Sequence, residues 1–206
     1  MIHRAARSLS RRITLLALAA FFGAAPLFAD DPHVHTGVPD KIPEHPDVGE
    51  DAPPFSLKDT AGKRLDLGEV LGRGYVVVAF GSASSSNFRK SAPEWDRLAR
   101  EWEKLEVRVL VVYTREAHPA TLRGRAPKSY RERELLAGEL KRELRLGLRV
   151  LVDQWDDAVH RAYGAIPDGA FLLDPKGKIL LRQVVARPAG IEQELRRLLK
   201  IPEPAG

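Results

Sequence analysis

The 206-residue sequence contains no cysteine. This absence excludes a disulfide scaffold, a cysteine-ligated zinc site, an iron–sulfur cluster and every thiol-based reaction, because each requires the sulfur atom itself. Hydrophobic residues make up 44% of the chain, which excludes extended disorder as the main state. The composition therefore predicts a globular protein whose chemistry does not use a thiol.

The long apolar run of the sequence, Ile13 to Ala25, follows four arginines and precedes Ala29 and Asp30. A basic start, a short apolar run and a small residue are typical of a secretory signal peptide. The run falls short of the roughly 20 residues that span a bilayer comfortably. We predict a signal peptide over residues 1–29 and hence an exported protein, periplasmic or secreted, that meets the membrane only if this segment stays uncleaved. Ser10-Arg11-Arg12 leaves open whether export is Sec-dependent or twin-arginine-dependent.

The net charge of +5 is concentrated in this predicted signal, which carries four arginines and no acid. The remaining chain has 29 basic and 28 acidic residues, a charge of +1. Because a nucleic-acid-binding domain usually shows strong basicity, we expect no nucleic-acid partner. A local basic cluster over residues 123–133 is either a solvated loop and helix start or a surface for an anion or a partner.

Residues 30–54 are rich in proline, aspartate and histidine and predict an extended linker. His33, His35 and His45 within it offer a weak metal-binding alternative, because a structural metal site needs three or four rigidly held ligands. We predict no cofactor. Residues 201–206 are predicted to form a short tail.

Residues 55–200 are predicted to form one α/β domain. Short runs rich in β-branched residues alternate with helical periodicity, which predicts a central mixed sheet with helices on both faces and an N-terminal β-hairpin. The predicted strands span 55–57, 64–67, 75–80, 107–113, 149–152, 170–173 and 179–185. The predicted helices span the segment around Trp95 to about 104, then 130–146 with a stripe of Leu135, Leu136, Leu140 and Leu144, 155–163 with Asp153 as its cap, and 191–199.

This order of strands and helices, in which Ile166-Pro167 stands immediately before the last hairpin, resembles the thioredoxin-like fold. More specifically, the chain is similar to the iodothyronine deiodinase family and its redoxin relatives in four stretches: Phe80–Ser82 with Phe88, Tyr113–Pro119, Val152–Ala158 and Ala162–Pro167. The resemblance implies that Pro167 is a cis proline packed against the redox centre, and an ordinary trans turn proline is the alternative.

The resemblance places the reactive selenocysteine or cysteine of the family at Ser85. An earlier cysteine of the family falls on Ala83, and the second cysteine of thioredoxins falls on Phe88. A serine hydroxyl stays protonated and cannot form the sulfenyl or selenenyl intermediate of the reduction. We therefore predict that thiol or selenol redox catalysis is absent, and that Ser84, Ser85 and Ser86 serve to cap the following helix.

Glu116 and His118 match the acid and the histidine that lie beside the reactive centre in deiodinases. A Ser85–His118 hydrolytic dyad is disfavoured, because no oxyanion hole or third orienting residue is visible. The family's substrate-recognition residues are incomplete, since Lys128-Ser129-Tyr130 stands where a histidine is expected and Gly169 where relatives often have arginine.

Two functions follow as predictions. The first is an exported, redox-inactive protein whose cleft binds an unknown small molecule or protein or has a structural role; the predicted cleft comprises Ser82, Ala83, Ser85, Phe88, His118, Ile166 and Pro167. The second is an oxidoreductase in which an external thiol or a metal supplies the missing chemistry while Glu116 and His118 transfer protons.

Overall fold

Seven strands form one mixed sheet in the computed structural model, which describes residues 46–164, 166 and 168–202. The predicted signal peptide, most of the predicted linker, Pro167 and residues 203–206 lie outside the described residues. The strands are β1 (Ser56–Asp59), β2 (Arg64–Asp66), β3 (Val76–Gly81), β4 (Arg108–Tyr113), β5 (Arg149–Val152), β6 (Ala170–Leu173) and β7 (Ile179–Gln183). Their order across the sheet is β2-β1-β5-β4-β3-β6-β7.

The three central strands, β3, β4 and β5, are parallel, and antiparallel strands flank them on both sides. Every residue of β3 is buried. A continuous Val-Val-Val-Ala-Phe run suits this position, because a central strand covered on both faces has no solvent side and so shows no polar alternation. Parallel neighbours also bring the carboxyl ends of β3 and β4 to the same edge of the sheet.

Among the described residues, five α-helices cover the two faces: α1 (Leu67–Val70), α2 (Ser86–Trp102), α3 (Tyr130–Glu143), α4 (Ala158–Ala162) and α5 (Pro188–Leu199). Apolar residues of α2, α3 and α5 pack in one core layer, which includes the fully buried Trp95. Residues of α1 and α4 pack with the opposite face of the sheet, around Phe80, Tyr163 and Phe171. The predicted mixed sheet with helices on both faces is confirmed.

Helix α4 begins later than the sequence predicted, at Ala158 instead of Trp155. The Asp153 carboxylate accepts hydrogen bonds from the backbone N–H groups of Val159, at 3.1 Å, and His160, at 2.8 Å. Asp153 therefore caps the helix across a loop. Asp157, which closes that loop, has a φ of 56°, a left-handed conformation that ends any helix running from Trp155.

Other boundaries differ in smaller ways. Helix α5 begins at Pro188, where proline's missing N–H costs nothing in a first turn, and β7 ends at Gln183. The short helix α1 had no periodic signal because it is only four residues long. Leu135, predicted on the apolar stripe of α3, is 51% exposed, whereas Leu136 and Leu140 are buried.

The segment that precedes β1 pairs with the start of β7. Gly49 N–H donates to Ile179 O and Ile179 N–H donates to Glu50 O, at 2.8 and 2.9 Å. Asp51 and Lys178 form a further bridge. Among the described residues no helix is long and apolar enough to cross a bilayer.

Candidate functional site

The candidate site lies where β3 and β4 end side by side. The loop Ser82–Ser85 follows β3, and the loop Thr114–His118 follows β4. Gly81 permits the first loop to fold back tightly, because a Cβ built on this glycine would lie 2.2 Å from ring atoms of Phe88. The buried Phe88 ring thus fills space beneath the loop.

Glu116 joins the two loops. One carboxylate oxygen accepts a hydrogen bond from the backbone N–H of Ser84 at 2.8 Å, and the other accepts from the Tyr113 hydroxyl. The Tyr113 hydroxyl in turn accepts from the N–H of Ala83 at 3.2 Å. Burial, with the neighbouring charge of Glu116, raises the pKa of Tyr113 above its ordinary value. Tyr113 therefore stays protonated and donates to the carboxylate.

Two serine hydroxyls add further links between the loops. Ser84 Oγ accepts from the N–H of His118 at 2.9 Å, and Ser82 Oγ accepts from the N–H of Ala117 at 3.2 Å. Ser82 and Ser84 are both buried. Their hydroxyls satisfy backbone N–H groups that would otherwise lack partners in the interior, so they hold the loop shape.

Ser85 is the N-cap of α2. Its Oγ accepts a hydrogen bond from the N–H of Phe88 at 3.0 Å, and the residue is only 1% exposed. A serine hydroxyl at this position satisfies one of the four free N–H groups at a helix start. The predicted capping role is confirmed for Ser85 and is wrong for Ser84, whose Oγ accepts from His118 N–H instead. The Ser85 hydroxyl is held by the helix instead of being presented to solvent.

Asp168 is a site residue that sequence reasoning missed. Burial raises the pKa of its carboxyl group, while hydrogen bonding from Ser85 and the charge of His118 oppose this rise. Its Oδ1 is buried and has no hydrogen-bond partner within the described residues. The one sequence signal for Asp168 was its position directly after Pro167, because the family that the chain resembles has its cleft at that proline.

The structure brings together Ser82, Ala83, Ser85 and Glu116, with the exposed His118 beside them. Ile166 is buried in the core layer of α4 and does not present an open cleft wall. Gly169 approaches Ile166 so closely that a Cβ on it would lie 2.8 Å from the Ile166 Cγ2 atom. The arginine expected there could not be added without moving the backbone or Ile166.

A buried ionic cluster lies between α3 and the loop that follows β5. Arg133 and Asp157, each about 2–3% exposed at the side chain, approach to 2.9 Å. Burial raises the pKa of Asp153 to about 6 and, with the charge of Arg115, lowers the pKa of His160 to about 3. His160 is therefore a neutral, buried side chain near neutral pH.

The basic cluster over residues 123–133 is largely paired with acids, through Arg125–Glu139, Arg131–Glu134 and Arg133–Asp157. Within the described part of the chain, no group of three or more histidine, aspartate or glutamate side chains could hold a metal ion. The weak candidates His33, His35 and His45 lie outside the described residues.

Fold and site together define a protein of the thioredoxin-like class in which Ser85 caps the helix that follows β3. The chain belongs to the AhpC/TSA family, whose model matches residues 48–182. The predicted thioredoxin-like fold and the broader redoxin resemblance are thereby confirmed. The finer similarity to iodothyronine deiodinases stays a prediction.

Solved structures with the same fold include a thiol:disulfide interchange protein DsbE from Chlorobium tepidum, at 23% identity and a TM-score of 0.57, covering 75% of this chain and 96% of that one. An uncharacterised conserved protein from Geobacillus kaustophilus has 21% identity and a TM-score of 0.60, covering 82% and 92%. Peroxidoxin BcpB from Mycobacterium tuberculosis has 18% identity and a TM-score of 0.55, covering 76% and 98%. No curated protein matches the chain.

Proposed function

We propose that this protein is an exported, non-catalytic member of the AhpC/TSA family that uses the cleft beside Ser85 for binding. The observation that carries the proposal is the state of Ser85, whose Oγ caps α2 in a chain without any cysteine. A hydroxyl in this position supplies neither the nucleophile nor the sulfur oxidation states that peroxide or disulfide reduction requires. Export rests on the signal-peptide pattern of residues 1–29.

Asp168 supports a binding role and indicates the ligand's chemistry. Its buried Oδ1 has no partner among the described residues, and an unpaired buried acceptor is costly unless a ligand satisfies it. The cleft therefore favours a small molecule or a peptide segment that presents an N–H or O–H group to Asp168. The exposed His118 nearby is free to contact the same ligand.

Within the family, we assign the protein to the deiodinase-like branch. The support is the segment Tyr113–Pro119, in which Glu116 is bonded to the serine loop and His118 stands beside it. This assignment is a statement about the ancestry of the chain and not about its activity. The serine at position 85 and the glycine at 169 argue against iodothyronine turnover by this chain.

The test is a turnover assay on purified residues 30–206 with peroxide, with insulin disulfides and with an iodinated phenol, each supplied with dithiothreitol. We expect the wild type to match the Ser85→Ala variant, with neither exceeding the rate without protein. Turnover in the wild type that Ser85→Ala abolishes would overturn the proposal.

The second candidate is an oxidoreductase that uses an external thiol, favoured by the position of His118 beside the serine loop. In that case dithiothreitol-dependent turnover survives Ser85→Ala and falls in His118→Ala. If the wild type has turnover that His118→Ala leaves unchanged, this candidate is rejected. Lys176→Ala, which removes an exposed cation from the turn between β6 and β7, is the matched control.

A further inference from the structure

A cavity of about 350 Å³ lies away from the Ser85 loop, against the hairpin of β1 and β2. Its lining includes Ser56, Lys58 and Arg64 of the hairpin, Tyr130 at the start of α3, and Gln154 and Trp155 after β5. None of these residues belongs to the loops that build the cleft beside Ser85. The volume falls within the usual range for small-molecule sites.

Two cations face each other across this hairpin. Lys58 and Arg64 are direct partners in the antiparallel register, so their side chains emerge from the same face. Like charges placed directly opposite destabilise a strand pair. Within the described part of the chain neither forms an ion pair; the Arg64 guanidinium donates one hydrogen bond to Ser56 Oγ at 2.8 Å. This repulsion would be relieved by a bound anion.

None of the residues that line the cavity, all of them within the described part of the chain, is an acid. Asp66 lies on the same face of the hairpin, opposite Ser56, without pairing to either cation. Burial and, to a smaller extent, the neighbouring carboxylate of Glu134 raise the pKa of Tyr130. The hairpin wall of the cavity is therefore positively charged, because Lys58 and Arg64 are exposed on it.

The wall opposite the hairpin is aromatic, and contacts with a buried arginine fix its position. The half-buried Trp155 has the Arg133 guanidinium 4.9 Å from its ring centroid. Arg133 Nη1 also donates to the carbonyl groups of Asp153 and Gln154, which fixes the loop that carries Trp155. The ring of Trp155 is thus oriented before any ligand arrives.

A second arginine fixes the hairpin wall. Arg149 Nε donates to Asp59 Oδ2 at 2.8 Å, and its Nη2 donates to the carbonyl oxygens of Lys63 and Arg64 at 3.1 and 2.9 Å. These bonds tie the hairpin turn to β5. Both walls are therefore preorganised, which reduces the ordering cost of binding.

We propose that this cavity binds a small organic anion that carries an aromatic ring. The anionic group lies between Lys58 and Arg64, where charge-assisted hydrogen bonds are available, and the ring packs against Trp155 and Tyr130. The site is distinct from the cleft beside Ser85, and binding here does not depend on the redox state or activity of that cleft.

Isothermal titration calorimetry of residues 30–206 with 2-naphthoate tests the proposal. We expect saturable one-to-one binding that weakens by about tenfold or more in the double variant Lys58→Ala/Arg64→Ala, because both charged partners are lost. Trp155→Ala is expected to weaken binding as well. Naphthalene-2-methanol, which lacks the charge, and cyclohexanecarboxylate, which lacks the aromatic ring, should both bind more weakly than 2-naphthoate.

Lys176→Ala is the matched control for loss of an exposed cation and should bind 2-naphthoate like the wild type. Ser85→Ala should also bind normally, which separates this site from the proposed cleft. Because Lys58 and Arg64 are exposed and repel each other, their replacement should leave the circular dichroism spectrum unchanged and should not lower the thermal transition. Absence of 2-naphthoate binding in the wild type, or equal affinity in Lys58→Ala/Arg64→Ala and Lys176→Ala, would refute the proposal.

Discussion

Glu116 is the residue on which the geometry of the serine loop most depends. It is buried, and both of its carboxylate oxygens accept hydrogen bonds, one from the backbone of Ser84 and one from Tyr113. The sequence resemblance suggested a proton-transfer role for this acid. Its contacts show a structural role, because a carboxylate saturated by two buried donors holds the loops together.

Replacing Glu116 with alanine should lower the free energy of unfolding by about 1–3 kcal/mol, because the Ser84 N–H and the Tyr113 hydroxyl lose a buried acceptor. Chemical denaturation measured by circular dichroism provides the comparison. Glu139→Ala, which removes an exposed partner of Arg125, should cost about 1 kcal/mol or less. Equal losses in the two variants would contradict the structural role of Glu116.

Asp168 illustrates the limit of sequence reasoning at this scale. The residues that follow β3 and β4 could be placed at the site from the sequence, because strand ends are visible as the ends of β-branched runs. The approach of Asp168 to Ser85 depends instead on the path of the chain into β6. That path is set by tertiary packing, including the close contact between Gly169 and Ile166.

At the scale of elements, the strands were predictable and several helix limits were not. Buried strands such as β3 and β4 contain long runs of β-branched residues, which are uncommon in other kinds of secondary structure. The start of α4 depends on the left-handed Asp157 and on a cap that acts from Asp153 across a loop. Neither feature has a periodic signature, so the sequence placed the helix three residues too early.

The cap of α4 should make stability depend on pH. Burial raises the pKa of Asp153 to about 6 in the folded state, against an ordinary value of 3.8, so the folded protein binds more protons between these values. The contribution of Asp153 is therefore fully present below about pH 4 and is lost as pH rises through 6. His160 acts in the opposite direction: its folded pKa of about 3 stabilises the protein above pH 6.5, and this is lost as pH falls towards 3.

Single variants separate the two effects. Relative to the wild type, Asp153→Asn should gain stability as pH rises from 4 to 6, whereas His160→Gln should lose it. Urea denaturation at pH 4.5, 5.5 and 7 measures both trends. Ser91→Ala, a substitution in α2 without a titrating group, should follow the wild-type profile. Parallel profiles for all three variants would show that neither group has a shifted pKa.

At the scale of the whole molecule, we predict that the chain divides into a leader that directs export and a folded domain. Residues 1–29 carry four arginines and the long apolar run, whereas family membership is carried by residues 48–182. Expression of the full chain in a bacterial host should yield a periplasmic product cleaved after Ala29, identified by intact mass. A variant with Leu16→Arg, which interrupts the apolar run, should remain uncleaved. An uncleaved wild-type chain would contradict the prediction.

The serine cap of α2 has a consequence for how the protein responds to its surroundings. The described residues contain no sulfur atom, since the chain has no cysteine and its one methionine is Met1. A redoxin with a dithiol exists in two covalent forms whose ratio follows the ambient reduction potential. The loop at Ser85 has only one covalent form, so its shape does not change between an oxidising and a reducing compartment.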